Sequence, residues 1–229
     1  MGVTILDVDS ARKSFGGREV LHAASIWVHE GKITSLLGRN GCGKTTLLRI
    51  VTGELRAEAG SMRFLGEYHE RPRLHILARR GLAYLPAREL LPYNIPLREI
   101  FALCSWPDRP SAPMVEELGL AHLLDHTPDE LSGGELRRAE VASVLLLQPS
   151  CLIADEPFRG IAPADCDLLI AVLRRYAASG GAAIVTGHEK AHMLAVADDV
   201  IWMHDGTTEY VGAPGDAVLH DRFRPAYLG

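Results

Sequence analysis

No stretch of the 229 residues reaches the roughly 18 consecutive apolar side chains needed to cross a bilayer. The richest run, Val141 to Leu147, has the length of a helix segment, so work at a membrane requires another chain to supply the spans. A basic surplus is also missing: 24 Lys and Arg face 29 Asp and Glu, for a formal net charge of −5. That balance argues against a nucleic-acid partner, whose phosphates demand a cationic footprint. The four cysteines, Cys42, Cys104, Cys151 and Cys166, form no C-x-x-C pair and no zinc spacing, and read as reduced thiols of a reducing compartment. Met1 to Ser10 lacks the basic and apolar segments of a secretory leader. Leu6 stands where an N-myristoylation pattern needs Ser or Thr. Internal repeats and low-complexity tracts are absent too. What is left is an ordinary globular balance, 47% hydrophobic and 23% charged, in a chain long enough to bury roughly 70% of its unfolded surface.

The opening third reads as short strands, Thr4–Val8, Ile26–Val28 and Lys32–Leu37, separated by turn residues at Gly16-Gly17 and Glu30-Gly31. A Gly-rich loop follows, then a helical run from Lys44 that stops at Gly53. Further strands are expected from Gly60 to Leu65 and over Leu82–Leu85. From about Arg88 to Ser132 the character changes. Prolines at 92, 96, 107, 110, 113 and 128 punctuate short helical patterns at Leu97–Trp106, Met114–Leu118 and His122–Leu124. This stretch is expected to be an inserted helical part. The last third returns to alternation: strand Cys151–Asp155, helix Ala164–Ser179, strand Ala182–Thr186, and a hairpin of Val200–His204 with Thr208–Val211 across Asp205-Gly206. Such alternation predicts an α/β fold with a mainly parallel sheet.

Four motifs carry chemistry. Gly38-Arg39-Asn40-Gly41-Cys42-Gly43-Lys44-Thr45 fits G-x-x-x-x-G-K-[ST] at every fixed position, between an apolar strand and a helix. Its glycines let backbone N–H groups converge on phosphates at a helix N-terminus. Lys44, read here as the loop's one cation, supplies a point charge; Thr45 offers a hydroxyl to Mg²⁺, and Thr46 follows it in the first turn. Leu131-Ser132-Gly133-Gly134-Glu135 opens a helix that runs to about Gln148. Alone it is a capping box of Ser132 and Glu135, or equally a second anion site at a helix N-terminus. Cys151-Leu152-Ile153-Ala154-Asp155-Glu156 is an apolar strand that delivers two carboxylates at its C-terminal end, where α/β sheets place their ligands. Asp155 is placed to hold Mg²⁺, directly or through water, and Glu156 to polarise an attacking water. His188, after the strand ending in Thr186, reads alone as a loop residue.

Walker A, LSGGE signature, Walker B with a following glutamate and then a histidine is the motif order of ATP-binding-cassette (ABC) ATPases, and the resemblance covers nearly the whole chain. It implies a P-loop NTPase core with a mainly parallel sheet, an N-terminal antiparallel β part and an inserted helical subdomain. The expected division is one domain over 1–229, with 1–87 and 150–229 as a RecA-like core with β-subdomain and 88–149 as the signature subdomain. The resemblance also implies ATP and Mg²⁺ as cofactors, an adenine stacking role for Phe15 (otherwise a core aromatic), and contact of His188 with the γ-phosphate. Ser132, Gly133 and Gly134 would meet ATP on an opposing subunit, in a head-to-tail homodimer or a heterodimer with another such ATPase. The partners implied are integral membrane transporter subunits, and the location is cytoplasmic, peripheral on the inner face of the membrane. The stretch Asp155 to Pro163 and the short C-terminus are similar to the ATPases of branched-chain amino-acid importers and of lipopolysaccharide export.

Two positions depart from the pattern. Ala87 stands where family members usually carry a glutamine that ligands Mg²⁺ and reports nucleotide state to the transport partner. Ala162 stands six residues after Glu156, where aspartate is common. ATP binding is untouched by both, whereas turnover and coupling are open. Two other roles are therefore kept beside transport: a nucleotide-gated switch with low turnover, and a soluble ABC ATPase acting outside transport.

Overall fold

The computed structural model describes residues 2–106 and 111–228, so Pro107 and Pro110 lie outside the described residues. The chain begins with two long strands, β1 (Thr4–Phe15) and β2 (Arg18–His29), which turn at Gly16 and Gly17, both with positive φ. β3 (Ile33–Leu37) leads into α1 (Lys44–Val51). Next come β4 (Ala59–Phe64), β5 (Glu67–Tyr68), α2 (Leu74–Ala78) and β6 (Leu82–Leu85). The middle is helical, with α3 (Leu97–Cys104), α4 (Ala112–Glu117), two 3-10 turns at Ala121–Leu123 and Pro128–Glu130, and α5 (Gly133–Leu146). Then follow β7 (Cys151–Asp155), α6 (Pro163–Ala178), β8 (Ala182–Gly187), α7 (Lys190–Val196), β9 (Asp199–His204), β10 (Thr207–Gly212), α8 (Pro214–Ala217) and a wide helical turn over Arg224–Leu228.

The ten strands form one sheet in the order β5-β4-β1-β2-β10-β9-β3-β8-β7-β6. Strands β9, β3, β8, β7 and β6 run parallel to one another, β10 is antiparallel to β9 and parallel to β2, and β1 pairs antiparallel with β2 and β4, as does β4 with β5. This is the expected mixed α/β sheet with an antiparallel N-terminal part. β3, β7 and β8 are buried at every residue. That explains their unbroken apolar runs, since a parallel strand is covered on both faces. One face packs Leu37, Leu152, Ala154 and Val185 against α5 and α6; the other packs Leu36, Ile153 and Ile184 against α1 and the β1–β2 ribbon.

Several boundaries differ from the sequence expectation, most by a residue or two. β1 and β2 are each 12 residues long, not three to five. Register shifts such as those between Val8 and Ala11 let polar residues interrupt the apolar pattern without ending the strand. The segment at His122–Leu124 is a 3-10 turn over Ala121–Leu123, α3 stops at Cys104 instead of Trp106, and α5 stops at Leu146.

A buried ion pair joins the helical segment to the sheet. Arg137 and Glu140 on α5 are 7% and 2% exposed, and Arg137 Nη1 donates to Glu140 Oε2 at 2.8 Å. The guanidinium also donates to the carbonyls of Pro86 (3.0 Å), Asp155 (3.0 Å), Glu156 (3.2 Å) and Pro157 (3.2 Å). Glu140 Oε1 accepts from the Leu90 amide at 2.7 Å. One side chain thus ties α5 to the ends of both β6 and β7. Arg137→Ala strands four carbonyls and a buried carboxylate, so it is expected to cost about 3–5 kcal/mol. The check is a urea denaturation midpoint at unchanged slope. A loss under about 1 kcal/mol would show that water replaces the guanidinium.

Candidate active site

Three parallel strands end in register. Leu37 pairs with Gly187, and Asp155 pairs with Thr186. The chain therefore leaves β3 at Gly38, β7 at Glu156 and β8 at His188 along one edge of the sheet, the edge where α/β folds bind ligands.

At the first exit the loop Gly38–Gly43 wraps onto α1. Gly41 and Gly43 have φ of 81° and 115°, and a Cβ on Gly38 would strike the Met203 carbonyl and come within 2.7 Å of Cys42 Sγ. Only glycine allows this path, which leaves the loop amides unobstructed by side chains. Lys44 is buried, and its ammonium donates to the carbonyls of Gly38 (2.7 Å) and Arg39 (3.2 Å). Thr45 is exposed and Thr46 half-buried in the first turn of α1. Lys44 is not the loop's one cation, as Arg39 is a second. Its guanidinium, however, donates at 2.9 Å to the Ala226 carbonyl. Burial pushes the Cys42 thiol up, against the pull of Lys44. A cavity of about 930 Å³ lies beside Arg39–Cys42, walled by Arg18–Val20, His22, Trp202–Gly206, Arg222 and Ala226. Phe15 is not part of that wall; it is 45% exposed, with Lys13 Nζ 5.5 Å over its ring.

At the second and third exits, Asp155 is 4% exposed and accepts from Thr186 Oγ1 at 2.5 Å. Burial raises its pKa most; the Thr186 hydrogen bond opposes this. Glu156 has φ +49°, a conformation L residues rarely adopt, fixed by its amide donating to Thr186 O at 3.1 Å. Its carboxylate lies 3.5 Å from His188 Nδ1 and 3.4 Å from Arg159. Glu189 holds the other ring nitrogen at 3.2 Å. The donor set fits Mg-ATP: a cation and free amides for phosphate, and a hydroxyl with a carboxylate as hard oxygen donors for Mg²⁺.

The signature residues stand apart. Ser132 caps α5, and its amide and hydroxyl both donate to Glu135 Oε2, at 2.8 and 2.6 Å. Gly134 packs on Asp165, and Gly133 is open. Among the described residues no hydrogen bond or ion pair joins Ser132–Glu135 to Gly38–Thr45. The structure so brings together Lys44, Asp155, Glu156 and His188, and leaves Phe15 and the signature elsewhere on the same chain. Sequence reasoning missed Arg137, Glu140, Thr186 and Glu189. The Arg137–Glu140 spacing of three on a helix and the hydroxyl of Thr186 beside His188 were the available signals.

Ala87 is exposed and offers no side-chain oxygen. Glu89, its nearest acidic neighbour, accepts from the Tyr93 hydroxyl. Neither Glu89 nor the exposed Arg88 is thereby shown to replace a missing amide.

A raised carboxylate pKa means that ionised Asp155 opposes folding. The destabilisation is absent below the ordinary carboxylate range, where both states are protonated, and sets in as pH rises through the folded value. Asp155→Asn, which still accepts from Thr186, is therefore expected to raise the nucleotide-free thermal midpoint at pH 8. The gain should vanish near pH 3. A lower midpoint at pH 8 would contradict burial as the dominant effect.

The sequence matches the ABC transporter family over residues 21–159. It is 31% identical to the lipopolysaccharide export system ATP-binding protein LptB of Escherichia coli, over 98% of this chain and 97% of the relative. It is 33% identical to the zinc import ATP-binding protein ZnuC of Halorhodospira halophila, over 93% and 79%. In fold it matches a solved ATP-binding cassette of an ABC transporter in its ADP conformation, with TM-score 0.86 and 24% identity over 99% of both chains. With these strand ends, this loop and these relatives, the chain belongs to the ABC transporter family, as one of its ATP-binding, ATP-hydrolysing subunits.

Proposed function

We propose that the chain closes head-to-tail on a second cassette around two Mg-ATP and that this closure drives separate membrane subunits. The observation that carries the reading is the convergence of Lys44, Asp155, Glu156 and His188 on one sheet edge, while Ser132–Gly134 lie apart from it. A signature with no hydrogen bond or ion pair to its own loop among the described residues suits a site that a second copy or a related cassette completes. In this reading residues 1–87 and 150–229 form the core and 88–149 the signature part. Among the described residues no helix is long and apolar enough to cross a membrane, so the chain sits at the cytoplasmic face through its partners. The two named relatives are named for different cargo, lipopolysaccharide and zinc, which supports a reading in which the membrane subunits choose the cargo.

Lys44 and the amides of Gly41–Thr45 hold the phosphates. Mg²⁺, when bound between Thr45 and Asp155, neutralises phosphate charge. Glu156 orients and deprotonates the attacking water, and His188, steadied by Glu189, faces the γ-phosphate. Positioning and charge neutralisation supply most of the rate in such transfers. Phe15, with an exposed ring next to β2, is the candidate for adenine stacking.

Glu156→Gln keeps the shape and removes the charge. It is expected to hold ATP unhydrolysed and to elute as a dimer with Mg-ATP on size exclusion. A monomeric variant beside a normally active parent would remove either the dimer or the role of Glu156.

Ala87 favours a second reading, a switch with low turnover. An added ligand hydrogen bond is worth about 0.5–1.5 kcal/mol, so Ala87→Gln is expected to raise the hydrolysis rate roughly two- to tenfold. An unchanged rate in Ala87→Gln, with a fall in Glu89→Ala, would mean that Glu89 already fills the position.

A further inference from the structure

The phosphate-binding loop is gripped from two sides. On the inside, Lys44 donates to the carbonyls of Gly38 and Arg39. On the outside lies the turn Arg224–Leu228, to which no motif assigns a role. Its Ala226 carbonyl accepts from Arg39 Nη2 at 2.9 Å. Its Tyr227 is only 7% exposed, and the hydroxyl has no hydrogen-bond partner among the described residues. The Gly38 amide faces that hydroxyl and favours its phenolate form, against the dominant effect of burial.

The turn is itself braced. The Tyr227 ring stacks on Phe223 at 5.3 Å, Phe223 meets Trp202 edge-on at 5.7 Å, and Lys190 Nζ lies 5.5 Å over Tyr227. Upstream, Glu209 on β10 gathers His220 at 3.6 Å, Arg222 at 3.0 Å and His204 at 3.5 Å. Gly38 is also closely packed, since a Cβ there would meet the Met203 carbonyl and Cys42 Sγ. A buried phenol without a partner is costly to keep, and here it belongs to the turn that Arg39 of the loop holds through the Ala226 carbonyl.

We propose that the Arg224–Leu228 turn is the outer support of the phosphate-binding loop, with Tyr227 and Arg39 as positioning residues that set nucleotide affinity without touching the nucleotide. The proposal rests on the loop Gly38–Thr45 being the nucleotide site. When phosphates draw the Lys44 ammonium away from the Gly38 and Arg39 carbonyls, the inner grip is released and the outer one remains. The Tyr227 hydroxyl then limits the conformations open to Gly38. A support of this kind acts on every nucleotide held by the loop, whereas a ligand of the γ-phosphate distinguishes ATP from ADP.

The test uses the full chain, titrated with fluorescent analogues of ATP and of ADP in Mg²⁺, together with steady-state hydrolysis. Tyr227→Phe keeps the ring and its stack. It is expected to weaken both nucleotides by the same factor, about two- to tenfold, and to raise KM with kcat nearly unchanged. Arg39→Met is expected to do the same, and the double variant to lose less than the product of the two, because both act through one turn. Unchanged affinities in Tyr227→Phe would overturn the proposal, even with a lower thermal midpoint, since that is the mark of packing alone. A loss in Arg39→Met confined to ATP would overturn it too, by making Arg39 a phosphate ligand. Lys44→Ala separates the two levels. If it binds both analogues like the parent, the nucleotide assignment of the loop fails. If it loses them while Tyr227→Phe does not, only the supporting role fails.

Discussion

The register of β3, β8 and β7 decides where every candidate catalytic group comes to lie. Pairing Leu37 with Gly187 and Asp155 with Thr186 brings three chain exits to one edge. Period-two alternation then puts Asp155 and Thr186 on the face of Ile153 and Ile184, the side packed by α1. The 2.5 Å bond from Thr186 to Asp155 is a consequence of that placement. A slip of one residue in β7 would turn the carboxylate to the opposite face, away from Lys44 and Thr45, and a slip in β8 would turn the Thr186 hydroxyl away from it. All-buried apolar strands are what make the slip costly. Each residue of β7 and β8 is packed on one face or the other, so the core that stabilises the sheet also sets the geometry of the site.

Arg137 extends this constraint to the helical segment. Its guanidinium takes carbonyls from the end of β6 and from the end of β7, and its partner Glu140 holds the Leu90 amide. Movement of α5, which carries the capped signature at its N-terminus, is therefore transmitted directly to the backbone around Glu156 and to the Pro86–Leu90 segment. This is a short mechanical path between the part expected to face a second cassette and the part expected to position water. It runs through backbone carbonyls, so it does not depend on the side chain missing at Ala87.

The order of elements and the four motifs were legible because each has a local cause. Glycine spacing forces the loop, the Ser132–Glu135 capping box starts α5, and buried strands leave apolar runs. β7 and β6 were read to the residue for that reason. The long β1–β2 ribbon was not, because its bulges at Ser10 and Ala23, both with positive φ, break the alternation on which the reading depends. Arg137 was hidden for a different reason. An arginine on a helix usually faces solvent, and only tertiary structure shows that this one meets four carbonyls. Arg39 was misjudged in the same way: its place in the loop was visible, but not its attachment to Ala226, 187 residues away.

The site is also held in tension with stability. Asp155 is ionised only at the cost of its burial, Glu156 keeps a positive φ, and Lys44 spends its hydrogen bonds on the loop's own carbonyls. In the proposed function two of these have a ligand that relieves them: a cation beside Asp155, and phosphate oxygens for Lys44. Groups destabilised alone and satisfied by Mg-ATP convert ligand binding into stabilisation of one particular arrangement of the strand ends, by simple linkage. Arg159 and His188 lie 3.4 and 3.5 Å from Glu156, and in that function a water and a γ-phosphate would compete for the same groups. The polar groups of the strand ends occupy one another, and in the proposed function nucleotide exchanges these internal pairings for its own.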